Sequence, residues 1–442
     1  MSQSVNCYLL EPGGSVQGNI EVPGDKSISH RSIMLGALAE GVTEVSGFLE
    51  GEDALATLNA FQALGVDIDG PHQGALRIQG VGLHGLQAPT APLNLGNSGT
   101  SMRLMAGILA GQTFGSELCG DESLSARPMA RVAKPLALMG AKLAMTEQGT
   151  PPIKITACPG ALKGITYHSP IASAQVKSCV LLAGLYARGT TKVIEPGVTR
   201  DHTERMLRGF GYEVHQAPGE VWLSGGGHLT GTTIRVPGDL SSAAFFIVAA
   251  TLAPGSELTI RNVGMNPTRN GIIEILRRMG ADIDIRELPQ QGNEPVADLT
   301  VRHAKLRGID IPTDLVPLAI DEFPVLFVAA ACANGVTRLQ GAQELRVKES
   351  DRIQVMAENL QSLGIDTKAT EDGMIVTGGT LKGGRVHSHA DHRIAMSMAV
   401  AGLMAKGRGE IDDCANVATS FPNFLTLAQS VGMKVRGTED LD

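Results

Sequence analysis

The chain repeats part of its own sequence, and this repeat limits the possible folds more than any other feature. VPGDKSISHR begins at Val22, and VPGDLSSAAF begins at Val236. The first copy continues with lysine and arginine, whereas the second carries no cation. A repeat on this scale indicates a fold assembled from copies of one supersecondary unit.

Six such units can be traced along the chain. Each contains an apolar helix pattern, a turn glycine, a strand, a second helix, and a hydrophobic residue followed by glycine. The turn glycines are Gly41, Gly111, Gly189, Gly255, Gly335 and Gly407. The second markers are Leu64-Gly65, Met139-Gly140, Phe210-Gly211, Met279-Gly280, Leu363-Gly364 and Val431-Gly432. We expect the turn glycines to end the first helices in the left-handed conformation.

The two helices of a unit have different patterns. First helices such as RLMAGILAG and IAMSMAVAGLMA are apolar nearly all round, which predicts burial. Second helices such as DALATLNAFQAL are amphipathic and are expected to cover the outside. The alternation of helices and strands predicts an α/β (α+β) fold.

The six units divide into two domains of three. A chain of 442 residues exceeds what one core normally supports. Because VPGD opens units one and four, we predict a discontinuous domain of residues 1–21 plus 237–442 and an inserted domain of residues 22–236. The hinge is expected near residues 22 and 236.

Composition and charge exclude several classes of protein. The net charge is −8 and aromatic residues make up 3% of the chain, which argues against a nucleic-acid partner. The longest apolar run, from Ala243 to Ala253, is too short to span a membrane. The amino terminus shows no targeting pattern, so we expect a cytoplasmic protein.

The sequence contains no recognisable metal or cofactor motif. The six cysteines show no C-x-x-C spacing, so reduced thiols without a metal are expected. No cofactor is expected, and we expect a monomer.

Polar residues collect just before the predicted helices, where exposed backbone N–H groups favour anions. In the first three units they are Lys26, Ser27 and Arg31, then the loop 95–100 with Arg103 and Arg127, then Ser173, Gln175, Lys177 and Arg200. In the last two units they are Asp321, Glu322, Arg346, Lys348, Glu349, Arg352, Asp391, His392 and Arg393. Each motif alone is also compatible with a capped helix or a solvated turn. Because five of six equivalent loops carry such residues, the combination predicts a cationic cleft between the domains that binds several anionic groups.

The motifs together resemble the EPSP synthase (3-phosphoshikimate 1-carboxyvinyltransferase) family of enolpyruvyl transferases. The matching stretches are VPGDKSISHR, LGNSGTSMR, ARPM, SAQVKS, TRDHTERM, IDEFPVL, LRVKESDR, DHRIAMSMAVAG and TSFPNF. They extend from Val22 to Phe424, which is nearly the whole chain. The resemblance implies two domains, each of three βαβαββ units, with the active site in the cleft between them.

The resemblance also implies two substrates and a set of site residues. The shikimate 3-phosphate ligands would be Lys26, Ser27, Arg31, Ser173, Ala174, Gln175, Arg200, Asp321 and Lys348. The phosphoenolpyruvate ligands would be Lys26, Gly99, Arg127, Gln175, Arg352 and Arg393. Asp321 would act as the base at the 5-hydroxyl, Glu349 as the acid that protonates the methylene carbon, and Lys26 as a second proton carrier.

The chain departs from the family pattern at three positions. Ala174 stands where many members have serine, and Arg200 is a candidate to replace the missing hydroxyl. Glu344 stands where many have asparagine, and Thr419 where many have lysine.

Two alternative functions are considered beside this one. The first is enolpyruvyl transfer to UDP-N-acetylglucosamine, for which Lys-Asn in place of Lys26-Ser27 and a cysteine near Arg127 would be expected. The second is a catalytically silent protein that binds phosphorylated metabolites. Asp321, Glu349 and Lys26 speak against it, because binding of anions alone would not require acidic groups beside them.

Overall fold

The computed structural model describes residues 6–291 and 293–438 and divides the chain into two compact units. The inserted unit contains Gly24–Val236 together with Gln291–Glu294. The discontinuous unit contains the chain up to Pro23, Pro237–Gln290, and the chain from Pro295 onward. Each unit has its own hydrophobic core.

Helices and strands are numbered along the whole chain. The amino-terminal strands are β1 (Cys7–Leu10) and β2 (Gln17–Glu21). The first repeat contains α1 (Lys26–Leu38), β3 (Ala39–Ser46), α2 (Glu52–Ala63), β4 (Asp67–His72) and β5 (Ala75–Val81). The second contains β6 (Leu93–Asn94), α3 (Gly99–Ala110), β7 (Ser116–Cys119), α4 (Glu122–Ser125), α5 (Ala130–Leu138), β8 (Leu143–Ala144) and β9 (Ile153–Ile155). The third contains β10 (Leu162–Lys163), β11 (Thr166–His168), α6 (Ala174–Gly184), β12 (Ala187–Arg188), β13 (Thr190–Ile194), α7 (His202–Gly209), β14 (His215–Ala217) and β15 (Glu220–Ser224), followed by β16 (Leu229–Thr230) and β17 (Thr233–Arg235).

The later part of the chain repeats this order. The fourth repeat contains α8 (Leu240–Leu252), β18 (Glu257–Gly264), α9 (Gly271–Met279), β19 (Asp282–Gln291) and β20 (Glu294–Arg302). The fifth contains 3-10 turns at Thr313–Leu315, Pro317–Glu322 and Gln343–Val347, with α10 (Phe323–Cys332), β21 (Val336–Leu339), α11 (Arg352–Ser362), β22 (Asp366–Ala369) and β23 (Met374–Thr377). The sixth contains β24 (Arg385–His387), α12 (His392–Met404), β25 (Gly409–Asp412), a 3-10 turn at Ala415–Thr419, α13 (Phe424–Ser430) and β26 (Val435–Gly437).

The repeats have similar sheet topologies, although the sheet of the fifth repeat has only three described strands and no parallel pair. In the inserted unit the strand orders are β17-β3-β5-β4, β6-β7-β9-β8 and β11-β13-β15-β14, and only the first pair in each order is parallel. In the discontinuous unit the orders are β2-β18-β20-β19, β21-β23-β22 and β24-β25-β1-β26. The amino-terminal strands therefore complete sheets of the fourth and sixth repeats, with Ile20 opposite Ile260 and Tyr8 opposite Ile411. The predicted α/β fold of repeated βαβαββ units is confirmed.

The helices follow the predicted division into buried and covering elements. Every residue of α8 is buried, and in α3 every residue except Thr100 is buried. In α2, Leu58 and Phe61 are buried while Asn59 is exposed, as expected for an amphipathic helix on the outside of a unit. Small residues allow the close contacts, because a Cβ at Gly107 of α3 would lie 2.3 Å from the carbonyl oxygen of Cys179 in α6.

The expectation that the turn glycines end the first helices is wrong. α1 ends at Leu38, Ala39 is already extended, and Gly41, with φ 93°, lies inside β3. Gly111 does cap α3 but has a right-handed φ of −92°. The second markers are the left-handed glycines that follow helices, as at Gly280 with φ 108°. After α1 the chain is already extended at Ala39, so that helix ends without a left-handed residue, whereas α9 ends at the left-handed Gly280.

Among the described residues, no helix combines the length and the apolar character needed to cross a membrane. The six cysteines are free thiols.

Candidate active site

Lys26 is the first residue of α1 and is held by a carboxylate. Asp25 caps the helix by accepting a hydrogen bond from the backbone N–H of Ile28 at 2.9 Å. The Lys26 ammonium forms an ion pair with Asp53 of α2. The Lys26 side chain is 19% exposed and that of Asp53 only 6%. The ammonium is therefore fixed in position yet accessible to an anion at the start of α1.

Arg31 connects three helices of the inserted unit. Its Nε donates to Thr203 Oγ1 of α7 at 2.7 Å, and its Nη2 donates to Ser178 Oγ of α6 at 3.0 Å. Its Nη1 donates to the carbonyl oxygen of Ser27 at 2.9 Å. Burial lowers the pKa of Arg31 to about 10, although Glu204 acts in the opposite direction. The guanidinium therefore remains charged at neutral pH.

Arg200 belongs to the same cluster, because its charge contributes to the lowered pKa of Arg31 after burial. It lies in the loop between β13 and α7, half-buried. This loop is anchored by Lys177 of α6, whose ammonium lies 2.8 Å from Glu204 and 3.0 Å from Glu195. Burial alone would lower the pKa of Lys177, but the two carboxylates outweigh it and raise the pKa.

Two guanidinium groups converge on Gly99 at the start of α3. A Cβ at this position would lie 3.2 Å from Nη1 of Arg127 and 3.3 Å from Nη1 of Arg103. Arg127 is buried, and its Nη2 donates to Asn97 Oδ1 at 2.5 Å. A side chain at Gly99 would press against both guanidinium groups, so glycine lets the two cations lie together at a helix N-terminus, which is a favourable place for an anion.

Gln175 joins this loop to α6. Arg103 donates to Gln175 Oε1, and Gln175 Nε2 donates to Thr100 Oγ1 at 3.0 Å. Ser173 caps α6 through the backbone N–H of Val176 at 3.4 Å. The next residue, Ala174, supplies no hydroxyl group. The cations Lys26, Arg31, Arg103, Arg127 and Arg200 together are called the cationic cluster below.

Asp321 is the first of three acidic residues around one arginine in the discontinuous unit. It lies in the 3-10 turn Pro317–Glu322 with its side chain 14% exposed. Its Oδ1 lies 3.2 Å from the Lys348 ammonium and 3.4 Å from Nη1 of Arg352. The carboxylate is thus accessible and is held between two cations.

Arg352 is the buried centre of this group, with a side chain only 1% exposed. Its Nη2 donates to Glu349 Oε2 at 2.6 Å, and its Nε donates to Asp391 Oδ2 at 2.8 Å. Burial alone would lower the pKa of Arg352, but Asp391 and Glu349 outweigh it and raise the pKa. Burial alone would raise the pKa of Asp391, but Arg352 outweighs it and lowers the pKa.

Asp391 also places Arg393 at the start of α12. Its Oδ1 accepts from the backbone N–H of Arg393 at 2.9 Å, which caps the helix. Within residues 6–291 and 293–438, the Arg393 guanidinium makes no hydrogen bond or ion pair, so it can receive an anion. The group formed by Asp321, Lys348, Glu349, Arg352, Asp391 and Arg393 is called the carboxylate cluster below.

The two clusters differ in what they can do chemically. The cationic cluster supplies guanidinium and ammonium groups, which bind phosphate and carboxylate groups. The carboxylate cluster supplies accessible acidic groups beside cations, an arrangement that can move protons. A family model described as EPSP synthase (3-phosphoshikimate 1-carboxyvinyltransferase) matches residues 10–427. The chain belongs to this family.

Curated relatives and solved structures agree with the EPSP synthase family. The 3-phosphoshikimate 1-carboxyvinyltransferase of Methylococcus capsulatus is 63% identical over 97% of this chain and 98% of the relative. An EPSP synthase structure from Acinetobacter baumannii has a TM-score of 0.88 at 55% identity and covers 98% of this chain and 99% of that one. The enolpyruvyl transferase NikO from Streptomyces tendae has a TM-score of 0.80 at 17% identity, with the same coverage, and shares the fold.

Membership in the EPSP synthase family makes the chain a transferase. The family acts on shikimate 3-phosphate and phosphoenolpyruvate. The comparisons do not favour the two alternative functions, transfer to UDP-N-acetylglucosamine and silent binding.

Within the part of the chain that the structure describes, one group of residues has the composition of a metal site. Cys7, Glu410 and Asp412 lie together in the sheet of the sixth repeat. Arg385 donates to both oxygens of Asp412, at 2.6 and 3.0 Å, and lies 3.8 Å from Glu410. Burial, reinforced by Glu410, raises the pKa of Cys7 to about 11, so the thiol keeps its proton. The arrangement is that of an arginine ion-pair cluster.

Two of the positions that depart from the family pattern, Glu344 and Thr419, lie in 3-10 turns. Thr419 donates to the carbonyl oxygen of Asn416 at 2.7 Å and ends the 3-10 turn Ala415–Thr419, so this position contributes a turn and no cation. Glu344 lies in the 3-10 turn Gln343–Val347 that precedes Lys348.

Sequence reasoning missed three residues that organise the two clusters. Asp391 appeared only as the neighbour of Arg393, although its place before an apolar helix is a capping signal. Arg103, the last residue of LGNSGTSMR, was counted among the polar residues before helices but not assigned to either substrate. Asp53 gave no signal, because an acidic residue in the first turn of an outer helix is ordinary.

Proposed function

We propose that the chain transfers the enolpyruvyl group of phosphoenolpyruvate to the 5-hydroxyl of shikimate 3-phosphate and releases inorganic phosphate. One observation carries the assignment of the chemistry: Asp321 and Glu349 are separate, partly exposed carboxylates bonded to the same buried guanidinium of Arg352. Two acidic groups held in this way suit a reaction that adds one proton and later removes another.

The proposed reaction has two steps. In the first, the 5-hydroxyl loses its proton to Asp321 and its oxygen bonds to C2 of phosphoenolpyruvate, while Glu349 delivers a proton to the methylene carbon. The product is a tetrahedral ketal with a new methyl group. In the second step the methyl group returns a proton to Glu349, the C–O bond to phosphate breaks, and the vinyl double bond reforms. The proton taken up by Asp321 leaves with the phosphate, so both carboxyl groups regain their starting states. Lys26 serves as a second proton carrier.

Substrate binding is assigned to cations of both clusters together with neighbouring uncharged residues and Asp321. Shikimate 3-phosphate is bound by Lys26, Ser27, Arg31, Ser173, Ala174, Gln175, Arg200, Asp321 and Lys348. Phosphoenolpyruvate is bound by Lys26, Gly99, Arg127, Gln175, Arg352 and Arg393. The position of Arg200 close enough to Arg31 to affect its pKa supports its role as the replacement for the hydroxyl that Ala174 lacks. Fixed cations of this kind stabilise the negative charge of the ketal without reorganisation.

We further propose that the two units act as two domains, 1–21 plus 237–442 and 22–236, with a hinge near residues 22 and 236. The enzyme is proposed to work as a monomer in the cytoplasm. Elution volume from a calibrated size-exclusion column, compared with the mass of 46.2 kDa, tests the oligomeric state.

Phosphate release tests the proposed function. Purified protein is mixed with phosphoenolpyruvate alone, with added shikimate 3-phosphate, or with added UDP-N-acetylglucosamine. Release only with shikimate 3-phosphate is expected. Release with the nucleotide sugar instead would establish the alternative transferase, and no release with either would establish a silent binder.

The Asp321→Asn and Glu349→Gln variants test the proton roles. Removal of a general acid or base should lower kcat by about 10²–10⁴-fold, with much smaller changes in KM. Asp314→Asn provides a matched control, because Asp314 is exposed in the neighbouring 3-10 turn Thr313–Leu315. Unchanged kcat in Asp321→Asn or Glu349→Gln would remove the corresponding role.

A further inference from the structure

The segment that carries Asp321 is too short and irregular to hold its own position. The turn Pro317–Glu322 is a 3-10 helix interrupted by a non-helical residue, Ala319, with φ −132° and ψ 15°. No side-chain hydrogen bond caps its start. Because short 3-10 turns have poor hydrogen-bond geometry, the placement of Asp321 depends on contacts with other elements.

Glu322, the next residue, provides one such contact. Its side chain is fully buried, and its Oε1 accepts a hydrogen bond from the Ser241 hydroxyl of α8. Its Oε2 is buried and has no hydrogen-bond partner in the described part of the chain. A buried carboxylate is unfavourable unless nearby groups compensate it.

The compensating charge comes from Arg269, in the loop before α9. Its Nη2 lies 4.0 Å from Glu322 Oε1 and donates to Ser241 Oγ at 2.6 Å. The same nitrogen donates to Asp239 Oδ1 at 3.0 Å. Asp239 caps α8 through the backbone N–H of Ser241 at 2.8 Å. A continuous polar chain therefore extends from the cap of α8, through Arg269 and Ser241, to Glu322.

A second contact supports the same turn. Gly271, the first residue of α9, approaches it so closely that a Cβ there would lie 2.8 Å from Leu318 Cβ and 3.0 Å from the carbonyl oxygen of Leu315. The loop with Arg269 and the start of α9 thus contact the segment before Asp321 from one side. On the other side of Asp321, the side chain of Glu322 holds the end of the turn against α8.

We infer that Glu322, Ser241 and Arg269 are positioning residues for the general base Asp321. This inference rests on the proposed function. The side chains of Glu322 and Arg269 are almost inaccessible, so they act through the backbone of the turn rather than on substrate. Their contacts keep the Asp321 carboxylate between Lys348 and Arg352.

The Ser241→Ala variant tests this role, with Ser242→Ala as the matched control. Both serines are buried at the start of α8, but the Ser242 hydroxyl makes no hydrogen bond within the described residues. A displaced base should lower kcat about tenfold, because small misplacements of reacting groups have large effects on rate. The KM of either substrate should change less than about twofold, and Ser242→Ala should match the wild type.

The same substitution in the Asp321→Asn background separates positioning from general loosening. With the base removed, its placement no longer matters, so Ser241→Ala should have no further effect on residual kcat. An equal loss of kcat in both backgrounds would overturn the inference, as would wild-type kcat in Ser241→Ala. Glu322→Gln keeps an acceptor for Ser241 and should retain more activity than Glu322→Ala.

The controls distinguish this inference from the proposed function. If the wild type releases no phosphate with shikimate 3-phosphate, the proposed function fails. If the wild type and Ser242→Ala are active and Ser241→Ala equals them, only the positioning role fails. Thermal unfolding of each variant establishes that the compared proteins are folded, and Arg269→Lys supplies a second test if Ser241→Ala does not fold.

Discussion

The two copies of VPGD begin helices in the same way, but the residues that follow them differ in charge and exposure. Asp25 caps α1 through the N–H of Ile28 at 2.9 Å, and Asp239 caps α8 through the N–H of Ser241 at 2.8 Å. The next residue is Lys26 in the first copy, partly exposed beside Asp53, and Leu240 in the second, which is 1% exposed.

The same contrast continues along both helices. Aligning the two caps places His30 and Arg31 of α1 at the positions of Ala244 and Phe245 in α8. The first copy carries cations within its own helix. The second copy carries none, and Arg269 from the loop before α9 donates to Ser241 and lies 4.0 Å from the buried Glu322. A duplicated turn thus preserves helix initiation, while the residues after it determine whether a cation is accessible, as Lys26 is, or is buried in an internal polar network, as Arg269 is.

Substitution of the residue after the cap should give the largest difference between the copies. Lys26→Met removes a cation assigned to both substrates and should lower kcat/KM by about 10³-fold, since charged hydrogen bonds to two anions are lost. Leu240→Met is the matched substitution in α8 and should stay within about threefold of wild type, because the change conserves volume. Steady-state phosphate release measures both. Equal losses would mean that the copies do not differ in function.

Exchange of arginine for lysine should separate binding from positioning. Arg31→Lys loses the contacts to Thr203 and Ser178 and should raise the KM for shikimate 3-phosphate about 30-fold, with a smaller effect on kcat. Arg269→Lys should lower kcat about tenfold and leave both KM values within about twofold. If both variants changed the same kinetic parameter, the distinction between a binding role for Arg31 and a positioning role for Arg269 would be wrong.

His30 should give the smallest effect, visible only as a pH dependence of stability. Burial, together with Lys26 and Arg31, holds the pKa of His30 well below its ordinary value. Below about pH 6.5 the unfolded chain therefore binds a proton at this histidine that the folded chain does not bind. Because of this difference, His30 lowers the free energy of unfolding as the pH falls. The slope from one such group is at most about 1.4 kcal/mol per pH unit.

Replacement of His30 with Gln should remove this contribution. The melting temperature of the variant, followed from pH 7 to pH 5, should fall less steeply than that of the wild type. His168→Gln is the control, because His168 is exposed on β11 of the same unit. Parallel curves for the wild type and His30→Gln would show that His30 takes up a proton in the folded state.

The repeat architecture could be predicted because it rests on local signals. Apolar helices, amphipathic helices and glycines after hydrophobic residues are each visible within about 15 residues. The closing strands could not be assigned in this way. β17 pairs with β3, and β2 pairs with β18, across long stretches of chain that carry no register signal of their own.

The site could be predicted in part, for the same reason. Lys26, Arg352 and Arg393 lie at helix starts, where sequence alone indicates anion binding. Asp53 and Glu322 could not be assigned, because their roles depend on which helices contact each other in three dimensions. The contacts of a buried polar side chain come from tertiary structure, and no spacing rule reports them.

The amino-terminal strands have a consequence for synthesis on the ribosome. β1 pairs with β25 and β26, so Cys7–Leu10 finds its neighbours only after residues 409–437 have also been synthesised. Gly24–Val236, by contrast, contains the partners of its own first sheet and can fold while the remainder is still being translated. Translation therefore allows residues 24–236 to mature before β1 meets β25 and β26.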